Sequence, residues 1–228
     1  FDDFIAPPEK PAAAPTAFFD DFIPQPIKKE TPMLDKALDQ DISFKSVDPS
    51  SYGEKKKIYI GIDPGKSGGI VAESITGDII GKWVMPLIGT DIDAQGLWMI
   101  LNNLHTEYNV TLIIEDVHSL HKMAANTNFS MGHTLGLITG IVIASKIKMV
   151  SVPPKTWQKE VWLTGEIEYL PKKPEQTKPS VNTKLTSMKA AHRLFPNQDF
   201  RKSDRSKNPH DGICDAALLA EYGRRKNL

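Results

Sequence analysis

The chain has one cysteine, Cys214, no net charge and no long apolar run. A single cysteine excludes an intramolecular disulfide and a thiolate metal cage, and it fits a reducing compartment; Cys214 reads as a small core residue. The longest apolar stretch, Leu135 to Ser145, is interrupted by Thr139 and Gly140, well short of the roughly 18 residues a membrane helix takes. No membrane span is expected, and the first residues carry no secretory signal pattern. What is present is 228 residues, 40% of them hydrophobic, enough for one full core and a tail.

The zero charge is a sum over a gradient. Residues 1–54 hold 5 Lys/Arg against 11 Asp/Glu, residues 55–154 hold 8 of each, and residues 155–228 hold 15 against 9. Phosphate contacts are therefore expected toward the basic end, although a solvated charged face gives the same excess. Residues 1–54 read as a disordered, acidic tail, because Pro7, Pro8, Pro11, Pro15, Pro24, Pro26, Pro32 and Pro49 break any helix and little core material accompanies them. The peptide FDDFI occurs twice in it, at Phe1–Ile5 and Phe19–Ile23. A repeated acidic-aromatic peptide predicts docking of an unknown protein, used twice for avidity, against plain low-complexity duplication. The chain starts at Phe1 rather than Met, which leaves room for further copies upstream.

From Lys57 the pattern turns to β-branched runs. Ile58–Ile62, Gly69–Glu73 and Asp78–Val84 predict three strands joined by turns at Pro64–Gly68 and Thr76–Gly77, an antiparallel meander. Leu97, Ile100, Leu101 and Leu104 predict a helix over 93–107, and Thr111–Ile114 a strand buried on both faces. A helix around Phe129–Ser145, a strand at Met149–Val152 and a helix opened by Pro153-Pro154 and carrying Trp157, Val161 and Trp162 follow. Trp157 reads as core more readily than as a DNA contact. Residues 165–181 read as a loop, and helices at 182–194 and 209–226 close the chain, the last with Asn208 as cap and Pro209 at the first helical position.

Three segments of this domain carry acids in a suggestive way: IYIGIDPGKSGGIV (58–71), TLIIEDVHSL (111–120) and HDGICDAALLAEYG (210–223). Asp63 follows an apolar strand, at the edge where ligand sites of α/β sheets collect; the residue also fits an Asp opening a Pro-Gly turn. Glu115 repeats that arrangement one strand on, and of Glu115 and Asp116 only one can face Asp63 because neighbouring strand residues point oppositely. Asp211 and Asp215 lie four apart, on one helical face, where like charges repel unless a cation neutralises them. Asp211 at N3 also suits the helix dipole, while Asp215, among Ala216, Ala217, Leu218 and Leu219, wants a partner. His210 could ligate, act as a base, or sit exposed at the helix start. A phosphate-binding P-loop is excluded, since Gly61–Ser67 is one residue short between its glycines. The turn also resembles the first phosphate motif of actin-like ATPases, which need two such domains where about 170 ordered residues supply one.

Asp63 in IGIDPG, Glu115 in LIIEDV and HDGICDAALLA, in that order, resemble the RuvC-like Holliday junction resolvases of the ribonuclease H-like superfamily, the phage-type branch above all. The likeness runs from 57 to 226 and includes Val152–Trp157 and Leu194–Pro196. It implies an α/β fold with a mixed sheet, a three-stranded antiparallel meander plus parallel strands with flanking helices, over residues 55–228. It implies a homodimer acting on branched DNA in a bacterial or phage-infected cytoplasm, and phosphodiester hydrolysis with two Mg²⁺ or Mn²⁺ ions per site. The family's first acid falls on Asp63, its second on Glu115 and its last on Asp215. The bacterial enzymes space the final pair three apart, which would select Gly212 here; Asp211 is the substitute, with His210 the other candidate. Their aromatic wedge after the second acid meets His118 here. Lys66, Lys155, Lys159, Lys184 and Lys189 are candidates for phosphate contacts. A related nuclease acting on forks or RNA–DNA hybrids, and a non-catalytic DNA-binding adaptor that uses the FDDFI tail, are the alternatives.

Overall fold

Five strands build one mixed sheet in the order β3-β2-β1-β6-β7. The computed structural model describes residues 54–116, 124–172, 174 and 176–228; both FDDFI repeats and His118 lie outside them. β1 (Lys57–Ile62), β2 (Gly69–Ser74) and β3 (Ile79–Val84) form the antiparallel meander, while β1 pairs in parallel with β6 (Asn109–Glu115) and β6 with β7 (Lys148–Val152). β4 (Leu87–Ile88) and β5 (Asp91–Ile92) form a small separate hairpin that no sequence pattern announced.

Period-two alternation divides the central strands between two cores. Ile58, Ile60 and Ile62 of β1, with Leu112 and Ile114 of β6, pack under α1 (Ala94–Glu107) and α2 (Ala125–Ala144) through Leu97, Leu101, Ile138 and Val142. Tyr59 and Ile113 face the opposite core, beneath α3 (Pro154–Val161), α4 (Thr183–Leu194) and α5 (Asp211–Lys226). The result is a three-layer α/β/α domain, with the sheet buried on both sides.

At Gly61 the backbones of β1 and α5 meet with no side chain between them. A Cβ at Gly61 would stand 1.9 Å from the Ala216 carbonyl oxygen, so only glycine permits this approach. At the other end of the helix Arg224 ties α5 to β2, donating to Glu73 at 3.0 Å and to Glu221 at 2.7 Å. Glu73 is fully buried, and burial followed by the neighbouring Glu221 pushes its carboxyl up to about 9.

Several boundaries differ from the sequence expectation. α2 starts at Ala125 rather than Phe129, because no Pro or Gly interrupts residues 125–128. α5 is capped by His210, whose Nδ1 accepts from the Ile213 amide at 3.4 Å. Asp211 is thus the first helical residue rather than the third, and Pro209 precedes the cap instead of opening the helix. Residues 165–181 are not purely loop: a single 3₁₀ turn spans Thr164–Glu166, and Tyr169 bridges to Val181.

Candidate active site

Register sets two of the acids side by side. In the β1–β6 ladder Ile62 pairs with Ile114, so Asp63 and Glu115 each come one residue beyond the same rung. Both continue the odd-numbered series, Tyr59 and Gly61 on one strand and Thr111 and Ile113 on the other, that faces α5. Of the Glu115–Asp116 pair, Glu115 is therefore the one that joins Asp63. Asp63 is held in its turn by the Gly65 amide, which donates to its Oδ1 at 3.3 Å.

α5 delivers the other pair. The contact of Gly61 with Ala216 carries the preceding residue, Asp215, to the end of β1. The first turn of the helix is seated by Gly212, whose missing Cβ would lie 2.4 Å from the Ser67 carbonyl oxygen and 2.5 Å from Gly68 Cα. This contact explains the four-residue spacing: an acid three before Asp215 would occupy backbone atoms of the 64–68 turn. Asp211, one residue earlier, lies outside that contact.

The electrostatics record the crowding of these acids. Burial, then the charge of Glu115 and that of Asp211, push Asp63 up to about 6, against the Gly65 amide and Lys184. Burial raises Asp215 further, to about 7, with Asp63, Glu115 and Asp211 adding to it. Ser187 opposes this rise, yet neither its hydroxyl nor Asp215 Oδ1, both buried, has a well-formed hydrogen-bond partner. Glu115 is raised by burial and eased by Trp157, whose indole Nε1 donates to Glu115 Oε1 at 3.0 Å. Asp211 departs from the other three. Although burial opposes it, Lys184 Nζ, 2.5 Å from Asp211 Oδ2, brings its carboxyl below the usual range.

These pairings account for what the acids do without a cation. Among the described residues no three or more His, Cys, Asp and Glu side chains form a ready-made metal cage. Lys184 engages Asp211, Trp157 engages Glu115, and burial favours the protonated carboxyls of Asp63 and Asp215. The donor chemistry nevertheless fits a hard divalent cation: four carboxylates from three elements, and a buried Asp215 oxygen with nothing to bond. A cleft of about 240 Å³ opens beside them, lined by Asp63–Lys66, Glu115 and the α2 residues Ser130, Met131, Thr134 and Leu135.

The remaining candidates divide. His210 stands beside Asp211 but uses Nδ1 as the cap, and burial lowers its pKa. Lys66 lines the cleft while paired to Asp91 at 2.9 Å. Lys189 is inside α4, bound to Glu168. Lys155 and Lys159, at the two ends of α3, are exposed and carry no ion pair among the described residues. Trp157 is 1% exposed and belongs to the core. Its bond to Glu115 was not legible, because the partners are 42 residues apart; the same holds for Ser187 facing Asp215. Cys214 is a buried core residue, its thiol pushed up to about 12 by burial.

A three-strand antiparallel meander extended by parallel strands, with helices on both faces, is a ribonuclease H-like fold. The chain is similar to T. thermophilus RuvC in complex with a Holliday junction substrate, at a TM-score of 0.50 and 10% identity over 75% of this chain and 96% of that one. A Thermus thermophilus RuvC structure (TM-score 0.47, 12% identity, 75% and 96% covered) and the yeast mitochondrial Holliday junction resolvase Ydc2 (TM-score 0.45, 16% identity, 77% and 81% covered) are also similar. No family model and no curated protein matches the sequence.

Proposed function

We propose that the chain is a metal-dependent endonuclease that resolves four-way DNA junctions. The observation that carries this reading is the convergence of Asp63, Glu115, Asp211 and Asp215 from β1, β6 and α5, with Asp215 Oδ1 buried and unpartnered. The fold it shares with a RuvC bound to a Holliday junction supports branched DNA as the substrate. The four carboxylates would hold two Mg²⁺ or Mn²⁺ ions. Such ions, when bound, activate water and stabilise the leaving oxygen of a phosphodiester. The protein's own part is positional. Gly61 and Gly212 set α5 so that its acids meet the sheet edge, and Trp157 orients one oxygen of Glu115. Lys184 neutralises Asp211 until a cation replaces it, and is then free to meet a phosphate; exposed Lys155 and Lys159 suit the same role.

Cutting a four-way junction symmetrically takes two sites, hence a homodimer. α2 supports this state: it carries no Asp, Glu, Lys or Arg, yet leaves Phe129 77% and Ile143 65% exposed, a face suited to a second copy.

Incubating the chain with Mg²⁺ and an immobile four-way junction, a fork, an RNA–DNA hybrid and linear duplex tests the reading. Paired nicks near the branch of the junction are expected, with the other substrates spared. Asp63→Asn should slow cleavage at least about a thousandfold while keeping junction binding. Wild-type rates in that variant would overturn the assignment, and equal cutting of forks or hybrids would redirect it.

A further inference from the structure

Exposed apolar side chains gather on the strand-like loop that follows α3 and at the start of α4. Tyr169 is 57% exposed and bridges to Val181, and Leu185, in the first turn of α4, is 46% exposed. The two arms of the loop pair with each other: the Leu170 amide donates to the Ser180 carbonyl at 2.8 Å and the Asn182 amide to that of Glu168 at 2.7 Å. Its root is fixed on α4, where the Glu168 amide donates to Thr186 Oγ1 at 3.0 Å and Glu168 pairs with Lys189. The residue before Leu185 is Lys184, 2.5 Å from Asp211. The first turn of α4, which carries Leu185, is thus tied to the acids through Lys184. Lys172 and Lys178, on the same loop, are exposed and carry no ion pair among the described residues.

A tyrosine and aliphatic side chains held open to water fit an apolar partner surface, and lysines around them fit phosphates. Linear duplex DNA supplies the phosphates but covers its base faces by stacking. Where duplex arms meet at a branch the stack is interrupted, and the flat face of a base pair is bare. We propose that the Tyr169 loop is a base-stacking platform. The phenol ring, backed by Val181 and Leu185, covers an exposed base at the branch, and Lys172 and Lys178 hold the adjoining phosphates. This rests on the reading of the site as a branched-DNA nuclease and adds how the branch itself is recognised.

The test uses the full chain carrying Asp63→Asn, so that DNA stays intact, and an immobile junction with 2-aminopurine at the branch. Fluorescence of the base and anisotropy-based affinities for junction and linear duplex are measured with and without Tyr169→Ala and Tyr169→Phe. Binding should change 2-aminopurine fluorescence at the branch. Tyr169→Ala should abolish most of that change and weaken junction affinity about tenfold, with duplex affinity and the thermal melt unaltered, while Tyr169→Phe keeps the wild-type signal. An identical signal and junction preference in Tyr169→Ala overturns the platform and leaves the nuclease reading intact. No preference for junction over duplex in the Asp63→Asn chain itself overturns both.

Discussion

Asp63 and Asp215 share a buried corner with Glu115, so each ionisation there is opposed by burial and by like charge. Their unfolded values lie near 3.8, and in the folded, metal-free chain burial lifts them to about 6 and about 7. As pH rises from 3.8 the unfolded chain releases protons that the folded chain still holds. The metal-free fold therefore loses stability until pH passes about 7, and loses no more above it. For Asp215 the rise corresponds to a cost on the order of 4 kcal/mol at neutral pH. Asp215→Asn should accordingly raise the melting midpoint in EDTA at about pH 7.5, with the gain fading toward pH 4. Mg²⁺ should raise the wild-type midpoint and not the variant's; calorimetric melts at both pH values check this. Trp157→Phe removes the donor to Glu115 while keeping an aromatic ring in the core. Mg²⁺ affinity, read by titration calorimetry, should fall about tenfold, and an unchanged affinity would remove Trp157 from any positioning role. The placement of the acids on their elements was legible in the sequence, because each follows an apolar strand or sits on an apolar helix. The groups around them were not: Trp157 and Lys184, which bond two of the acids, and Ser187, which lies near a third, reach them only through folding.

Among the elements, α5 decides whether the acids meet. Its seat on the sheet depends on glycines at positions where a Cβ would strike backbone atoms, which cannot swing aside. Gly212→Ala should lower unfolding stability by about 3 kcal/mol and displace Asp211 and Asp215 together, so that cleavage falls even where the fold survives. Denaturant unfolding alongside the junction assay checks both effects. The order of strands and helices was legible, because period-two and helical patterns mark each one. The β4–β5 hairpin was not, since two-residue strands are too short for a period to show. The start of α5 was misread because Asn208-Pro209 matches a capping signal, whereas His210, a weaker cap, fills that position through its contact with Ile213.

At the scale of the molecule, one copy has one set of acids, and the proposed cutting of two junction strands takes two. A dimer of twice 25.3 kDa should appear in sedimentation, and Ile143→Glu, which charges the exposed α2 face, should shift it to monomer without lowering the melt of the domain. Alanine at all four phenylalanines of the two FDDFI repeats should leave junction cleavage in vitro unchanged, because all four acids lie in residues 63–215. A drop in cleavage would give the tail a part in catalysis rather than in docking a partner. The sequence by itself determined the order of elements and the RuvC-like resemblance, and it singled out Asp63, Glu115 and Asp215 while leaving Asp211 and His210 as alternatives, since periodicity and motif spacing are local properties of the chain. Tertiary structure decided which acid of the Glu115–Asp116 pair faces Asp63, why the helical acids are four apart, and that Lys184 and Trp157 already engage two of them. Those are properties of strand register, of backbone contact at Gly61 and Gly212, and of packing between residues far apart in the chain, and they exist only once the chain has folded.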